Sequence, residues 1–238
     1  MCECTLEKKQ WIGIWSGITG LFWMFWLSLK LSPIGFTCPA NLDGATNFDR
    51  EKYLGRWYEF ARSESVPREW ERFECQTATY QKGDDNFIKV YNVEYSIVSD
   101  LWPSAYDGWE KDKNARAQCS YWRNGLCQVK FFELAPWGNY KVLSVDHNSY
   151  AIVYGCTLNL AGSLNLDYLW ILGRQPLKIG STESNALKTK VWDIIKQQIP
   201  HFNLETVHLS IQVDYNGMPC KYSPLPPGMT NPNPNDLT

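Results

Sequence analysis

Residues 53–62 of the chain read YLGRWYEFAR, and this stretch decides the fold. Aromatic and apolar residues are dense in it, as is typical of a β-strand, and Asp49 and Glu51 mark a turn before it. Gly55 stands two residues before Trp57, so other groups can approach the backbone closely there while the indole fills the space beyond. We predict that this stretch is the opening strand of a barrel.

Two later stretches each carry one distinctive residue. Residues 146–154, DHNSYAIVY, predict a tight turn at Asp146 that leads into a strand of β-branched and aromatic residues. Residues 168–176, YLWILGRQP, predict a strand that ends in Arg174. A glycine–tryptophan pair, an aspartate at a hairpin and an arginine at a strand end therefore follow one another along the chain.

These three motifs, in this order and near these separations, resemble the three motifs of the lipocalin family. The similarity points to its apolipoprotein D and bacterial lipocalin branch, and it runs from about Cys38 to Cys220. The second motif departs from the family pattern, because Val145 and His147 replace the usual Thr and Tyr on either side of Asp146.

The resemblance implies that the motif residues maintain the fold and do not form a binding site. The Arg174 guanidinium is expected to lie across the Trp57 ring at the closed end of the barrel. Such a desolvated cation–π contact contributes about 1–2 kcal/mol. The structural set is Gly55, Trp57, Asp146 and Arg174.

The rest of the sequence predicts an all-β fold, an eight-stranded antiparallel up-and-down barrel. Short segments at hairpin spacing, with turn residues between them, favour closure, and eight strands enclose room for one small ligand. The predicted strands are residues 54–62, 76–81, 87–95, 115–121, 126–133, 140–146, 150–157 and 166–173, with a long loop at 96–112.

A flanking C-terminal α-helix is predicted at residues 182–198, followed by one more strand at 207–213. Ser181 or Thr182 can cap the helix, and Pro200 prevents its continuation. The family has such a helix on the outer wall of its barrel. The positions that form one helical face are Leu187, Val191, Ile194, Ile195 and Gln198.

An uncharged run near the N-terminus predicts one transmembrane helix. Residues 11–29 are long enough, at about 1.5 Å per residue, to nearly cross the roughly 30 Å core of a bilayer. A cleaved secretory signal is the alternative, but its apolar region is usually only about 7–15 residues long. Lys8 and Lys9 precede the run and Lys30 follows it, which favours an N-terminus inside and a barrel outside.

The chain therefore divides into five parts. A linker rich in Pro, Gly and Asn joins the anchor to the barrel, and the Pro/Asn-rich tail is expected to be extended or disordered. The parts are a short N-terminal segment at 1–10, a transmembrane anchor at 11–31, the linker at 32–48, the lipocalin barrel domain at 49–220 and the tail at 221–238.

The eight cysteines fall into two groups. Cys2 and Cys4 precede the uncharged run. They could be lipidated or bind a metal, and free thiols are the favoured interpretation. The other six follow the uncharged run, and spacing alone does not choose their pairing. The resemblance implies two bridges, Cys38–Cys156 and Cys75–Cys220. Cys119 and Cys127 flank a turn and could join two neighbouring strands.

Disulfides require an oxidising compartment. The barrel is therefore expected on the extracellular or lumenal side of a membrane, or in the mitochondrial intermembrane space.

The resemblance also implies a ligand site inside the barrel. Tyr80, Asn92 and Trp170 match pocket-lining positions of the apolipoprotein D branch. Two aromatic rings with one amide fit the usual site of apolar walls and a few orienting polar groups. The alternative is that the bulky side chains of a chain with twelve Trp fill the interior themselves.

The composition gives no support to other classes of function. A net charge of -2 without any basic cluster argues against a nucleic-acid partner. His147, His201 and His208 are scattered, without metal-ligand spacing or a nucleophile motif. We therefore expect no enzyme activity, no metal and no required cofactor.

Two functions remain. The first is a membrane-anchored lipocalin that binds a small hydrophobic molecule, such as a lipid, quinone or pigment. The alternative is a non-catalytic accessory subunit of a membrane complex, for example a respiratory or photosynthetic one, which uses the barrel as a scaffold. Because fold does not fix function, this alternative stays open. The uncharged N-terminal run and the Pro/Asn-rich tail favour it.

Overall fold

A computed structural model describes residues 38, 42–66, 73–83, 87–96, 109–111, 115–120, 124–130, 134, 136–158, 165–210, 220, 222 and 225. The predicted anchor and most of the predicted tail lie outside these residues. Within them, no helix has the length and the apolar character needed to cross a membrane. The chain forms a barrel unit, residues 39–157 and 167–238, and a smaller unit, residues 1–38 and 158–166.

One antiparallel sheet makes up the barrel unit. Its strands are β1 (Gly55–Ser63), β2 (Phe73–Lys82), β3 (Phe87–Ser96), β4 (Trp109–Lys111), β5 (Ala115–Cys119), β6 (Leu126–Lys130), β7 (Gly138–Asp146), β8 (Tyr150–Leu158), β9 (Asn165–Gly173) and β10 (Val207–Leu209). The order is β10-β1-β2-β3-β5-β6-β7-β8-β9, and β1 also pairs with β9. That pairing closes an eight-stranded barrel, with β4 and β10 added at its margins, and confirms the predicted fold.

Strand β4 lies in the stretch that was predicted to be a loop, so the prediction is wrong at residues 109–111. Its Trp109 pairs with Tyr95 and its Lys111 with Val93, on the half of β3 that β5 does not reach. Three residues are too few to show alternation in a sequence, and the pairing depends on β3. Two other strands are shorter than predicted. Strand β5 ends at Cys119, not at residue 121, and β10 ends at Leu209, not at residue 213.

A single helical turn, α1 (Arg50–Tyr53), precedes β1 where the sequence predicted only a turn. Asp49 caps it, and its Oδ1 accepts the backbone N–H groups of Glu51 at 3.0 Å and Lys52 at 3.2 Å. These bonds satisfy N–H groups that a helix start leaves without intrahelical partners. The cap directs Tyr53, which is buried, into the barrel.

The predicted C-terminal helix is present as α2 (Thr182–Gln198), with Ser181 as its N-cap. Leu187, Val191 and Ile195 form its buried face. Gln198 is exposed, and its Nε2 donates to the carbonyl oxygen of Leu143 on β7 at 3.4 Å. The helix therefore lies against the outer wall of the barrel.

Candidate ligand site inside the barrel

Arg174 joins the segments that meet at the closed end of the barrel. Its guanidinium lies over the ring of Trp57, 3.6 Å from the centroid. It donates to three carbonyl oxygens, of His147 at 2.8 Å, Arg56 at 3.0 Å and Lys52 at 2.6 Å. Burial lowers the pKa of Arg174 to about 10, so the side chain keeps its charge at neutral pH. The closed end is thus held by one buried cation.

The β7–β8 hairpin completes the closed end. Asp146 Oδ1 accepts the backbone N–H of Asn148 at 3.1 Å, which stabilises the turn. His147, at a position where the family usually has Tyr, accepts the backbone N–H of Asp49 through Nε2 at 3.1 Å. Burial lowers the pKa of His147 and favours the neutral ring, which this bond requires.

Three tyrosines meet inside the barrel next to Trp57, and we call Tyr53, Tyr80 and Tyr140 the tyrosine cluster. The hydroxyls of Tyr53 and Tyr140 are 2.9 Å apart, and those of Tyr80 and Tyr140 are 2.7 Å apart. The Tyr53 ring lies 5.1 Å from that of Trp57 and 5.0 Å from that of Tyr80. Burial raises the pKa of Tyr80 to about 12, so this phenol stays protonated.

Strand register gives the height of each predicted site residue above the closed end. Tyr80 pairs with Gly55, at the beginning of β1, and lies lowest. Ala78 pairs with Trp57 on one side and with Asn92 on the other, one step higher on the same face. Alternate residues of a strand share a face, so Tyr80, Ala78 and Asn92 all face the interior.

Trp170 lies farther from the closed end than Tyr80 does. Leu172 packs in the interior core and pairs with Glu59, and Trp170, two residues away on β9, pairs with Arg62. The three predicted ligand residues therefore share the interior of the barrel at different heights, Tyr80 deepest and Trp170 highest.

Exposure divides the interior into a filled lower part and an accessible upper part. Tyr80 and Trp57 are 4% and 0% exposed, whereas Ala78, Asn92 and Trp170 are partly exposed although they face inward. The interior core also contains several small side chains. These are Ala115, Ala117 and Ala151, with Ala78 packed against the core.

A polar cluster that sequence reasoning missed lies in the barrel wall at the height of Leu172 and Trp170. Ser210 Oγ donates to Glu59 Oε1 at 2.6 Å, and Arg62 Nε lies 3.6 Å from the same oxygen. With its amide nitrogen turned toward Glu59, Gln76 donates to Oε2 at 2.8 Å and accepts from Arg62 at 3.3 Å. We call these four residues the polar cluster.

The polar cluster depends on a β-bulge in β1. In a regular strand, residues three apart point to opposite faces, so Glu59 and Arg62 would not meet. The register between β1 and β9 shifts between Glu59 and Ala61, which brings both side chains to one face. In the sequence, the only sign of this cluster is the charge of Glu59 within a mostly apolar strand. The sequence pattern does not indicate the bulge.

Burial raises the pKa of Glu59, against the opposing effects of Arg62 and Ser210. The folded chain therefore binds the proton of Glu59 more tightly than the unfolded chain does. The resulting stabilisation is complete below the ordinary pKa of 4.5 and is lost as pH rises through the raised value.

Glu59→Gln is expected to remove this pH-dependent loss. The free energy of unfolding of the variant, relative to that of the unchanged protein, should increase as pH rises from about 4 to about 7. Urea unfolding at a series of pH values measures the difference. Glu205→Gln, which makes the same change at an exposed position, is the matched control. A difference for Glu59→Gln that is constant with pH would contradict the assignment.

Two disulfides are present in the barrel unit. Cys75 bonds to Cys220, with Cα atoms 5.4 Å apart, and Cys119 bonds to Cys127, with Cα atoms 4.0 Å apart. The second bridge joins residues that pair directly on β5 and β6. Cys38 and Cys156 are each disulfide-bonded as well, and their mutual pairing stays a prediction.

A groove of about 410 Å³ lies on the outside of the barrel and is separate from the interior site. Residues 42–47 form one side of it, and Leu143, Ser144 and Gln198 form the other. In the part of the chain that the structure describes, no group of three or more His, Cys, Asp or Glu residues is placed to hold a metal ion.

Comparison with known proteins identifies the family. Residues 48–197 match the family described as Lipocalin-like domain, and the chain belongs to the lipocalin family. Rat (Rattus norvegicus) apolipoprotein D is 38% identical over 130 residues, which are 55% of this chain and 62% of that protein. The match thus spans less than two thirds of that relative. The outer membrane lipoprotein Blc of Citrobacter freundii is 32% identical over 143 residues, 59% of this chain and 70% of that protein.

A solved structure supports the fold at a lower identity. Insecticyanin from the tobacco hornworm Manduca sexta superposes with a TM-score of 0.57 at 18% identity, over 76% of this chain and 89% of that one. This likeness concerns the barrel and its helix alone.

Proposed function

We propose that the protein is a non-catalytic carrier that holds a small, largely hydrophobic molecule inside its barrel. The observation that carries the proposal is the partial exposure of the inward-facing Ala78, Asn92 and Trp170 above buried Tyr80 and Trp57. An interior filled by its own side chains would bury all five. Aromatic walls with one amide match the chemistry of sites for apolar ligands.

The neighbouring side chains define what such a site would select. Trp170 offers an indole face, and Asn92 offers an amide that can orient one polar group of the ligand. The polar cluster lies next to Trp170, because Arg62 of the cluster is the β1 residue that pairs with Trp170 on β9. A lipid, quinone or pigment meets these requirements, since each combines an extended apolar body with a few oxygen or nitrogen atoms.

Membrane attachment through residues 11–31 is part of the same proposal. The uncharged run supports it, and the cysteine pattern supports a barrel on the oxidising side of the membrane. The names of two relatives, apolipoprotein D and outer membrane lipoprotein Blc, associate those proteins with lipid or a membrane.

A role as an accessory subunit of a membrane complex is the competing proposal. Native mass spectrometry of the detergent-extracted protein distinguishes the two, because it reports bound ligand and partner subunits together.

Filling the interior tests the carrier function. Ala78→Phe places a ring in the accessible space, and we expect it to weaken binding of a fluorescent fatty acid by about tenfold or more, since one buried ring occupies the volume of several methylene groups. Trp170→Ala should weaken binding by about 1–3 kcal/mol through lost apolar contact. Fluorescence titration measures both effects.

The matched control is Lys89→Phe, which adds the same ring at an exposed position on β3. It should bind as the unchanged protein does. If the unchanged protein bound no fatty acid, quinone or pigment, or if Ala78→Phe bound them normally, the carrier function would be wrong.

A further inference from the structure

Three basic residues stand side by side on the outer wall of the barrel. Lys89 on β3 pairs with Arg116 on β5, and Arg116 pairs with Lys130 on β6. Each of the three follows a residue of the interior core, so the alternation along a strand turns their side chains outward. They are far apart in sequence, so strand register alone brings them together. We call Lys89, Arg116 and Lys130 the basic row.

The basic row gives this wall a positive surface. Lys89 and Arg116 are exposed and Lys130 is partly exposed. Like charges directly opposite one another destabilise a sheet, and neither β5 nor β6 contains an acidic residue that would alternate with the row. The wall therefore presents three cations in line to whatever lies against it, in an arrangement that the barrel itself does not need.

Exposed apolar side chains lie next to the basic row. Lys130 Nζ lies 5.6 Å from the centroid of the Trp137 ring, which stacks on the ring of Phe87 at 6.2 Å. Trp137 is 36% exposed, and Leu134, in the same connection between β6 and β7, is 91% exposed. An indole ring beside a lysine is typical of the headgroup level of a bilayer. A soluble polyanion would use the cations but would gain nothing from an exposed leucine.

The chain that comes from the uncharged run reaches the barrel at one end of the same wall. Asn124, in the turn between β5 and β6, donates from Nδ2 to the carbonyl oxygen of Thr46 at 2.7 Å. From this turn β6 leads to Lys130, and Leu134 follows beyond the end of the strand. A barrel attached to a bilayer through residues 11–31 is thus joined to it beside the strand that carries the basic row.

We propose that the basic row, together with Trp137 and Leu134, docks the outer wall of the barrel on an anionic phospholipid surface. The three cations contact the phosphate and carboxylate groups of the lipids, and the two apolar side chains enter the boundary with the acyl chains. This inference rests on the proposed membrane attachment and deepens it, because it names the docking face and the charge of the lipid. The row lies outside the barrel, so replacing its residues leaves the interior ligand site as it is.

Lysine acetylation, followed by peptide mass spectrometry, tests the docking face residue by residue. The full-length protein is reconstituted into nanodiscs of phosphatidylcholine with about 30% phosphatidylserine and into nanodiscs of phosphatidylcholine alone. Lys89 and Lys130 should react about threefold or more slowly on the anionic discs, and about 0.5 M salt should remove the difference. Lys188 on α2 is the matched reporter, since its Nζ also lies 5.6 Å from an indole centroid, that of Trp192, and it should react equally on both.

Arg116→Gln removes the middle charge of the row. One cation near an anionic surface changes the docking equilibrium by about fivefold, so acetylation of Lys89 and Lys130 on the anionic discs should return most of the way to its rate on the neutral discs. Lys196→Gln removes an exposed cation from α2 and should leave both rates unchanged. Thermal unfolding checks that both variants fold.

The outcomes separate this inference from the proposed membrane attachment. Equal acetylation of Lys89 and Lys130 on the two kinds of disc, with the protein retained on both, overturns the docking face and leaves the attachment in place. A further arm adds soluble heparin to the protein in neutral discs. Slowing by heparin without slowing by phosphatidylserine assigns the row to a soluble polyanion and overturns the lipid surface. Protein that is retained on neither kind of disc overturns the attachment and this inference with it.

Discussion

Replacing Arg174 by Ala is expected to lower the free energy of unfolding by about 3–5 kcal/mol. The substitution removes the donors of three carbonyl oxygens, on Lys52, Arg56 and His147, and exposes one face of Trp57. The bond to Arg56 is buried and the other two are partly buried. Acceptors that stay shielded from water without a donor keep much of the cost of their lost hydration, which is why the effect exceeds that of an ordinary surface arginine. Urea unfolding, followed by tryptophan fluorescence, measures the change.

Two variants separate the parts of this effect. Arg174→Lys keeps the charge but not the planar fork that reaches three oxygens, so we expect an intermediate loss. Lys196→Ala removes an exposed cation from α2 and should change stability by less than about 0.5 kcal/mol. A loss below about 1 kcal/mol for Arg174→Ala would show that the closed end does not depend on this side chain.

Removing the Cys75–Cys220 disulfide is expected to cost about 3–5 kcal/mol, and removing Cys119–Cys127 about 2–3 kcal/mol. The first bridge joins residues 145 apart in sequence and the second joins residues 8 apart. A longer closed loop restricts the unfolded chain more, so its loss destabilises the fold more. Paired Cys→Ser variants, unfolded in urea without reductant, measure both values.

Each disulfide variant serves as the control for the other, because both lose one bridge and gain two serines. The Cys75–Cys220 variant should also release the C-terminal segment, in which Tyr222 packs edge-on against Tyr58 at 4.7 Å. Equal losses for the two bridges, or a larger loss for Cys119–Cys127, would contradict the loop-length argument.

The sequence predicted the features that depend on short motifs and local signals. Trp57 and Arg174 could be placed at the closed end because each stands in a short, recognisable stretch, and their contact follows from the family resemblance. The helix at 182–198 was predictable with both boundaries, since its cap, its apolar period and Pro200 are all local signals.

The features that sequence reasoning missed depend on tertiary structure. Tyr53 and Tyr140 are 87 residues apart, and only barrel closure brings their hydroxyls together. Glu59 and Arg62 are three residues apart in sequence, and the bulge between them places both side chains on one face. Local sequence pattern and propensity predict neither barrel closure nor β-bulges. The tyrosine cluster and the polar cluster therefore became apparent only in the structure.

The pairing of β1 with β9 sets a condition on biosynthesis. Tyr58 pairs with Gly173, so one edge of β1 has no partner until nearly all of the barrel has been synthesised. The other edge can pair with β2 as soon as the next strand emerges. An open apolar strand edge is a site for association with other chains, and contacts distant in sequence form slowly. Until β9 has been synthesised, this edge of β1 is open to other chains, whereas in the finished barrel it is paired along its length with β9.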